Sequence, residues 1–224
     1  MKWILNSAID TLPNKTNLKF WGKLVNDKCF CGQRQTLNHI LNCCKICLDQ
    51  GRYTARHDFI LNYIGKCLDK EKFKCFIDIE NHQTQAGGTI SPNLVVTNLK
   101  PDIVVIDDKT KSVKIFELTV PAESRLEISH KLKMDKYSHL VTDIKSHNVE
   151  IIPFEIGAQQ GHISRDNKFR LQTLHKYCSK NIKFKKFSEN ISAIALLSSY
   201  YIFNCRNTES WVTPDPILAP FTNQ

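Results

Sequence analysis

The chain has 224 residues, 42% of them hydrophobic, and its formal net charge is +9. A basic chain with an ordinary apolar content is typical of a folded protein with a polyanionic partner, more often nucleic acid than a membrane. No run reaches the roughly 18 apolar residues that a membrane span needs, and the first residues lack a signal-peptide hydrophobic region. We therefore expect an intracellular protein without a membrane partner.

A cysteine-rich stretch follows a linker, residues 1–27, that is predicted to be helical in part and interrupted at Pro13. Five of the nine cysteines of the chain lie between Cys29 and Cys47. In an intracellular compartment, crowded cysteines are more often metal ligands or buried thiols than disulfides. The stretch 28–50 is therefore a candidate metal site.

The spacing in this stretch predicts a zinc knuckle. Cys29 and Cys31 lie on a tight turn, His39 follows after seven residues and Cys44 after four more. Three thiolates and one imidazole satisfy tetrahedral Zn²⁺, although about two to four residues usually separate the first pair. Two neighbouring cysteines are alternatives for the last ligand: Cys43 and Cys47. The other interpretation is a run of reduced thiols with an unrelated histidine.

A charged tripeptide precedes the next predicted helix. The segment Phe59–Leu68 has the apolar spacing of a helix, and Arg56, His57 and Asp58 lie at or near its first turns. Asp58 would favour a helix start and Arg56 a phosphate. Taken alone, the tripeptide predicts a solvated face.

Two predicted strands each carry one carboxylate. Residues 100–108 and 113–121 are apolar, β-branched runs joined by a polar turn, with Asp102 at the start of the first and Glu117 inside the second. Burying an unpaired carboxylate is costly, whereas two acids on neighbouring strands can share a divalent cation. The alternative is structural: Asp102 begins a strand after a proline turn, and Glu117 makes an ordinary hydrogen bond.

A long helix is predicted after the second strand, from Ala122 to about Ser146. Its apolar stripe comprises Leu126, His130, Lys133, Tyr137, Leu140, Val141 and Ile144. Lys133 falls near the middle of the stripe and Lys136 at its edge, so Lys133 is expected to reach back to a carboxylate. The alternative for both lysines is a surface position with no role in catalysis.

The rest of the chain adds two strands and two helices to this α/β pattern. They are predicted at 73–80, 149–157, 166–179 and 189–206. Residues 51–210 are therefore expected to form one domain. The proline-containing segment 211–224 is expected to be a loosely packed tail.

Seven motifs occur along the chain in a defined order. They are the Cys/His pattern of 29–44, Leu48-Asp-Gln-Gly-Arg-Tyr53, Arg56-His-Asp58, Lys100-Pro-Asp-Ile-Val-Val105, Phe116-Glu-Leu-Thr-Val-Pro121, Lys131-Leu-Lys-Met-Asp-Lys-Tyr137 and Pro153-Phe-Glu-Ile-Gly157. Together they resemble the C-terminal part of site-specific non-LTR retrotransposon proteins, in which a zinc knuckle and a restriction-like endonuclease follow a reverse transcriptase. The resemblance covers roughly residues 10–210.

The resemblance implies a fold and two metals. The fold is an α/β PD-(D/E)xK restriction-endonuclease-like core, with a mixed central sheet flanked by helices and an N-terminal zinc knuckle. Four residues would bind structural Zn²⁺: Cys29, Cys31, His39 and Cys44. Two acids would bind catalytic Mg²⁺: Asp102 and Glu117.

The resemblance also implies roles for basic residues. The lysine of the PD-(D/E)xK signature is absent from its usual place, where Thr119 stands, so Lys133 or Lys136 would be a displaced catalytic lysine. The tripeptide of Arg56, His57 and Asp58 matches one that is linked to DNA engagement or cleavage in the family.

These features predict a Mg²⁺-dependent endodeoxyribonuclease that nicks target DNA for target-primed reverse transcription. DNA, the element RNA and the reverse transcriptase region of the parent element are the expected partners, and the nucleus is the expected location. The chain carries no reverse transcriptase region, so we interpret it as a fragment or a degraded copy of a transposable element. The alternatives are a catalytically inactive, zinc-containing nucleic-acid-binding module left from such an element and, more remotely, a cysteine-rich redox protein.

Overall fold

The computed structural model describes residues 2–214, in which helices cover both faces of a single sheet. In chain order the elements are α1 (Lys2–Ala8), α2 (Lys15–Phe20), a π-helix (His39–Cys43), α3 (Lys45–Asp49), α4 (Arg52–Cys67), β1 (Lys74–Ile77), β2 (Ile103–Asp107), β3 (Ser112–Thr119), a 3-10 turn (Glu123–Arg125), α5 (Leu126–Tyr137), α6 (Leu140–Asp143), β4 (Asn148–Glu155), α7 (Arg165–His175) and α8 (Phe184–Asn204). This arrangement confirms the expected mixed α/β architecture.

The sheet has the order β1-β2-β3-β4. The first three strands are antiparallel, and β4 runs parallel to β3 after the crossover through α5 and α6. Within the hairpin of β2 and β3, Ile103 pairs with Phe116. One step further along the same register, Asp102 stands opposite Glu117. The polar turn between the strands therefore sets which two acids meet.

Alternate side chains of the hairpin bury on opposite faces of the sheet. Val105 and Phe116 pack with α4, α7 and α8 in one apolar cluster. Val104 and Ile115 pack with Tyr137, Leu140 and other residues of the α5–α6 segment in a second cluster. Both faces are covered, which explains why β2 and β3 read as nearly continuous apolar runs.

A third apolar cluster joins the cysteine-rich segment to α1 and to the C-terminal part of α8. Trp3 of α1, Leu41 of the π-helix and Phe203 of α8 are buried in it, together with Cys29 and Cys44. The rings of Trp3 and Phe203 meet edge to face with centroids 5.2 Å apart. The cysteine-rich segment is therefore packed against the rest of the protein.

The prediction of one continuous helix from Ala122 to Ser146 is wrong. The chain forms the 3-10 turn, α5 and α6 instead, with the main break at Ser138 and His139. Leu140 and Ile144 are buried against the sheet. The break lets this segment turn toward β4, which begins only four residues after Ile144.

Two helix starts also differ from expectation. Helix α4 begins at Arg52, directly after Gly51 with its positive φ of 69°, so Arg56, His57 and Asp58 lie well inside the helix. Helix α8 begins at Phe184, five residues before the predicted start. Among the helices of residues 2–214, none combines the length and the apolarity needed to cross a bilayer.

The predicted tail falls partly within the described chain. The ring of Trp211 is partly buried and meets Tyr201 with centroids 5.2 Å apart. Residues 215–224 lie outside the described residues. The start of the tail is therefore packed.

Candidate active site and metal centre

Four side chains of the cysteine-rich segment converge on one point. The potential ligand atoms of Cys29, Cys31, His39 and Cys44 all lie within 4.8 Å of one another. The sulfur of Cys44 is 3.7 Å from that of Cys29 and 4.0 Å from that of Cys31. A zinc ion with Zn–S bonds of about 2.3 Å separates its sulfur ligands by about 3.8 Å. The cluster is therefore the right size for tetrahedral Zn²⁺.

Local backbone structure explains the unusual spacing of these ligands. The turn after Cys29 closes with hydrogen bonds from Gly32 N to Cys29 O, 2.9 Å, and from Cys29 N to Gln33 O, 2.8 Å. Gly32 takes a φ of 84°, which favours glycine. On the other side, the wide π-helix brings His39 close to Cys44, five positions later.

The structure selects Cys44 from the three candidates for the last ligand. Cys43 is exposed, and Cys47 is buried outside the converging group. Burial raises the pKa of Cys29 to about 11 and also raises that of Cys44. A bound cation would ionise such thiols. The donor set therefore fits Zn²⁺, the metal that prefers mixed thiolate and imidazole ligands.

The two predicted acids meet at the end of the β2–β3 hairpin. One oxygen of Glu117, Oε1, accepts a hydrogen bond from the backbone N of Asp102 at 2.9 Å. In return, Asp102 Oδ2 accepts from the backbone N of Leu118 at 2.7 Å. The side chain of Glu117 is fully buried. Reciprocal bonds to the backbone thus fix both carboxylates on one edge of the hairpin.

Lys133 of α5 reaches both carboxylates. Its ammonium lies 2.5 Å from Glu117 Oε2 and 3.8 Å from Asp102 Oδ2. The expectation that Lys133, and not Lys136, points at the acids is confirmed in this geometry. Burial alone lowers the pKa of Lys133, but the two carboxylates outweigh it and raise that pKa above its ordinary value. Lys133 is therefore a cation at neutral pH.

The two acids differ in their pKa. Burial, and then the charge of Asp102, raises the pKa of Glu117 to about 7, although Lys133 opposes this shift. Burial also raises the pKa of Asp102, but the hydrogen bond and charge of His57 outweigh it and lower that pKa overall. Of the two acids, Asp102 is therefore the more readily ionised and Glu117 the more readily protonated.

His57 connects α4 to the same pair of acids. Its Nε2 lies 3.2 Å from Asp102 Oδ2, and its Nδ1 lies 3.1 Å from Asp58 Oδ1. Burial alone lowers the pKa of His57, but hydrogen bonds to Asp102 and Asp58 raise it to about 9. The imidazolium therefore lies between two carboxylates. Asp58 has its contact with His57, and His57 in turn contacts Asp102.

Arg56 differs from the expectation of a solvated or phosphate-binding side chain. It is only 3% exposed, and its guanidinium donates to Ser199 Oγ and to the carbonyl of Val120, both at 3.0 Å. Residues three or four apart share a helix face, but neighbours such as Arg56 and His57 point about 100° apart. Because α4 starts before the tripeptide, Arg56 turns into the protein and is out of reach of a DNA backbone in this structure.

The exposed Lys136 contacts the buried Tyr137 near the acids. The ammonium of Lys136 lies 2.8 Å from the hydroxyl of Tyr137 and 4.6 Å from the centre of its ring. Burial, and then the charge of Glu117, raises the pKa of Tyr137. Sequence reasoning assigned Tyr137 to the apolar stripe and missed its hydroxyl. The spacing of four residues between Lys133 and Tyr137 was the available signal, since it puts both on one helix face.

Another buried carboxylate, Glu155 of β4, was also missed. Its two oxygens lie 3.1 Å from His130 Nδ1 and 3.2 Å from Arg170. His130 belongs to α5, one turn before Lys133, whereas Arg170 belongs to α7. Glu155 thus ties α5 to the sheet and helps to position Lys133. Its place inside an apolar strand, like that of Glu117, was the signal in the sequence.

The position of His57 predicts that its contribution to the free energy of unfolding falls as the pH rises. A histidine whose folded pKa is raised from 6.5 to about 9 contributes stability that is complete below pH 6.5 and is lost as the pH rises through about 9. We expect His57→Gln to be less stable than the parent chain at pH 6, with the difference shrinking toward pH 9. Urea unfolding without added divalent cation measures it. A difference independent of pH would contradict this assignment.

Comparison with known proteins adds no identification. No protein-family model matches the chain, and no curated protein matches it. The functional argument therefore depends on the residues and their geometry.

Proposed function

We propose that the chain is a Mg²⁺-dependent DNA endonuclease domain of the PD-(D/E)xK type, derived from a non-LTR retrotransposon. The observation that carries the proposal is the contact of Lys133 with both Asp102 and Glu117. It provides two acids and one lysine, although the lysine comes from helix α5 and not from strand β3. A positively charged chain of this kind also favours a nucleic-acid substrate.

The donor set fits magnesium. Mg²⁺ prefers carboxylate oxygens and usually keeps several water ligands. Asp102 Oδ1 has no hydrogen-bond partner among residues 2–214, and Glu117 Oε2 accepts from Lys133, a cation that an incoming metal ion can displace from this oxygen. Asp102 and Glu117 would hold the ion. When bound, it would polarise the scissile phosphate and lower the pKa of a water molecule.

The side chains of the protein would complete the reaction. Because Lys133 stays protonated, it would orient the attacking water and stabilise the negative charge that develops on the phosphate oxygens. Water would add to phosphorus and the P–O3′ bond would break, with a proton passing to O3′ to leave a 3′ hydroxyl and a 5′ phosphate. His57 would keep Asp102 oriented and ionised. Lys136, exposed beside Tyr137, would contact a neighbouring phosphate of the DNA.

The product gives the proposal its biological setting. A free 3′ hydroxyl on nicked target DNA is a primer, so the parent element would use it for reverse transcription of its RNA, in the nucleus. The knuckle would bind Zn²⁺ and contribute to nucleic-acid binding. A chain that binds DNA through the same surface without cutting it is the competing function.

Nicking of supercoiled plasmid separates these two functions. We expect the purified, zinc-loaded chain to relax plasmid with Mg²⁺ and not without it, and Asp102→Asn to lower the rate at least about 100-fold. Asp108→Asn is the matched control, because Asp108 is an exposed acid just beyond the far end of β2 and pairs with Lys74. Equal rates for the parent chain and Asp102→Asn would contradict the proposed function and favour the binding module.

A further inference from the structure

A cleft of about 340 Å³ lies between the zinc knuckle and the sheet. It is bounded by Asn38 and Asn42 of the knuckle, by Arg56 of α4, by the residues after β3 and by one face of α5. Its volume is at the lower end of the range of ligand sites, about 300 to 1,000 Å³. We call it the knuckle cleft.

Two side chains that line the knuckle cleft carry buried polar atoms without a partner. Arg56 Nε and Thr119 Oγ1 have no hydrogen bond among residues 2–214. The other two nitrogens of the Arg56 guanidinium are fixed by Ser199 and Val120. Buried polar groups are normally hydrogen-bonded. A ligand with an acceptor on its edge would therefore complete the interactions of this side of the cleft.

The lining of the cleft favours a ligand with apolar faces. Apolar side chains line it from two elements: Val120, Pro121 and Ala122 follow β3, and Ile128 and Leu132 belong to α5. A phosphate group alone needs several convergent donors, whereas this part of the lining is apolar. A nucleobase has two apolar faces and an edge with acceptor oxygens and nitrogens. The chemistry of the knuckle cleft therefore matches an unstacked base better than a free anion.

The knuckle cleft adjoins the acids. Thr119 is two residues beyond Glu117 in β3, on the same face of the strand and about 7 Å further along. Leu132 immediately precedes Lys133 in α5. Arg125, which is exposed at the cleft, can reach a backbone phosphate. A DNA strand whose phosphate lies at Asp102 and Glu117 can therefore place a neighbouring base in the cleft.

We propose that the knuckle cleft binds one unpaired nucleobase next to the scissile phosphate, so that the substrate class is DNA with an unpaired nucleotide at the cleavage position. The inference rests on the proposed function, because that function identifies the strand bound at the acids. Paired duplex cannot fill the cleft without extrusion of a base, which requires unstacking.

Binding measurements in the Asp102→Asn chain, which should not cut, test this proposal. Fluorescence anisotropy compares three short duplexes: fully paired, with a central unpaired bubble, and with the same bubble built from abasic sites. We expect the bubble to bind at least about tenfold more tightly than paired DNA, the size expected of one stacked base. The abasic bubble should bind like paired DNA.

Two surface substitutions test whether the preference for the bubble over paired DNA arises in the knuckle cleft. Ile128→Glu places a carboxylate in the cleft wall at a side chain that is 51% exposed, and should reduce the preference to about twofold or less. Val141→Glu makes the same change in charge at a side chain that is 48% exposed and lies outside the cleft, and should keep the preference. Both sites are on the surface, so both variants should fold.

The binding and nicking measurements distinguish a failure of this inference from a failure of the proposed function. No preference for the bubble, an equal preference for the abasic bubble, or equal losses in both glutamate variants would overturn the proposal. Plasmid nicking is a separate measurement. If nicking fails while the base-dependent preference and its loss in Ile128→Glu remain, the proposed function is wrong and the cleft is still a base-binding site. If nicking succeeds without the preference, only this inference is wrong.

Discussion

Replacing Lys133 by methionine is expected to lower the nicking rate at least about 100-fold, since one group that stabilises transition-state charge is commonly worth about 10²–10³ in kcat. Methionine keeps the apolar stem and removes the ammonium that contacts Glu117 and Asp102. The fold should survive, because the pKa of Glu117 is already about 7 and this acid can protonate when its partner is lost. Single-turnover nicking measures the chemical step, and anisotropy measures DNA binding.

Lys136→Ala is the matched substitution for Lys133→Met. The Lys136 side chain is exposed and rests on Tyr137 without an ion pair to either acid. We expect it to weaken DNA binding, to reduce the slope of log affinity against log salt by about 1, and to affect the chemical step less. If Lys136→Ala abolished nicking at saturating DNA while Lys133→Met weakened binding only, the two roles would be exchanged.

The meeting of the two acids could be predicted from the sequence. Each lies on an apolar, β-branched run, and the short polar turn between the runs allows only neighbouring antiparallel strands. The register then brings Asp102 and Glu117 together. The direction of Lys133 was also accessible, because helical periodicity fixes which side chains share a face. That prediction survives the break at Ser138, since Lys133 lies before it.

Other features depend on tertiary packing that local periodicity does not encode. Glu155 meets His130 across 25 residues of sequence and Arg170 across 15. These contacts exist because α5 and α7 approach the same end of β4, and the order of elements alone does not determine that approach. From the sequence, Glu155 is therefore recognised only as a member of the motif Pro153-Phe-Glu-Ile-Gly157. Its contacts with His130 and Arg170 link two helices to the sheet.

The tripeptide of Arg56, His57 and Asp58 shows how the start of a helix decides which contacts a side chain can make. With a start near Phe59, Arg56 would be free to bind a phosphate. With the observed start at Arg52, Arg56 is buried against α8 and against Val120, the residue after β3, while His57 faces Asp102. Boundaries are weakly specified when no capping side chain marks them, and Gly51 provides no side-chain hydrogen bond.

Loss of zinc is expected to destabilise the protein by several kcal/mol, because a structural metal site contributes its binding free energy to folding. The ligands share an apolar cluster with Trp3 and Phe203. Removing the metal should therefore loosen α1 and the end of α8 as well as residues 28–47. The β2–β3 hairpin has its own core and should keep its protection. Hydrogen exchange before and after a strong chelator measures this difference segment by segment.

Two adjacent cysteines provide the control for the zinc experiment. Cys44→Ala removes a ligand and should reproduce the effect of the chelator, whereas Cys43→Ala changes an exposed thiol outside the converging group and should leave zinc content and protection unchanged. The backbone of Cys44 also bonds to the Tyr53 hydroxyl at 3.0 Å, so some loosening of the start of α4 is expected. If Cys43→Ala and Cys44→Ala lost zinc equally, the ligand assignment would be wrong. If the chelator removed protection from β2 and β3 as well, the sheet would depend on the knuckle for its stability.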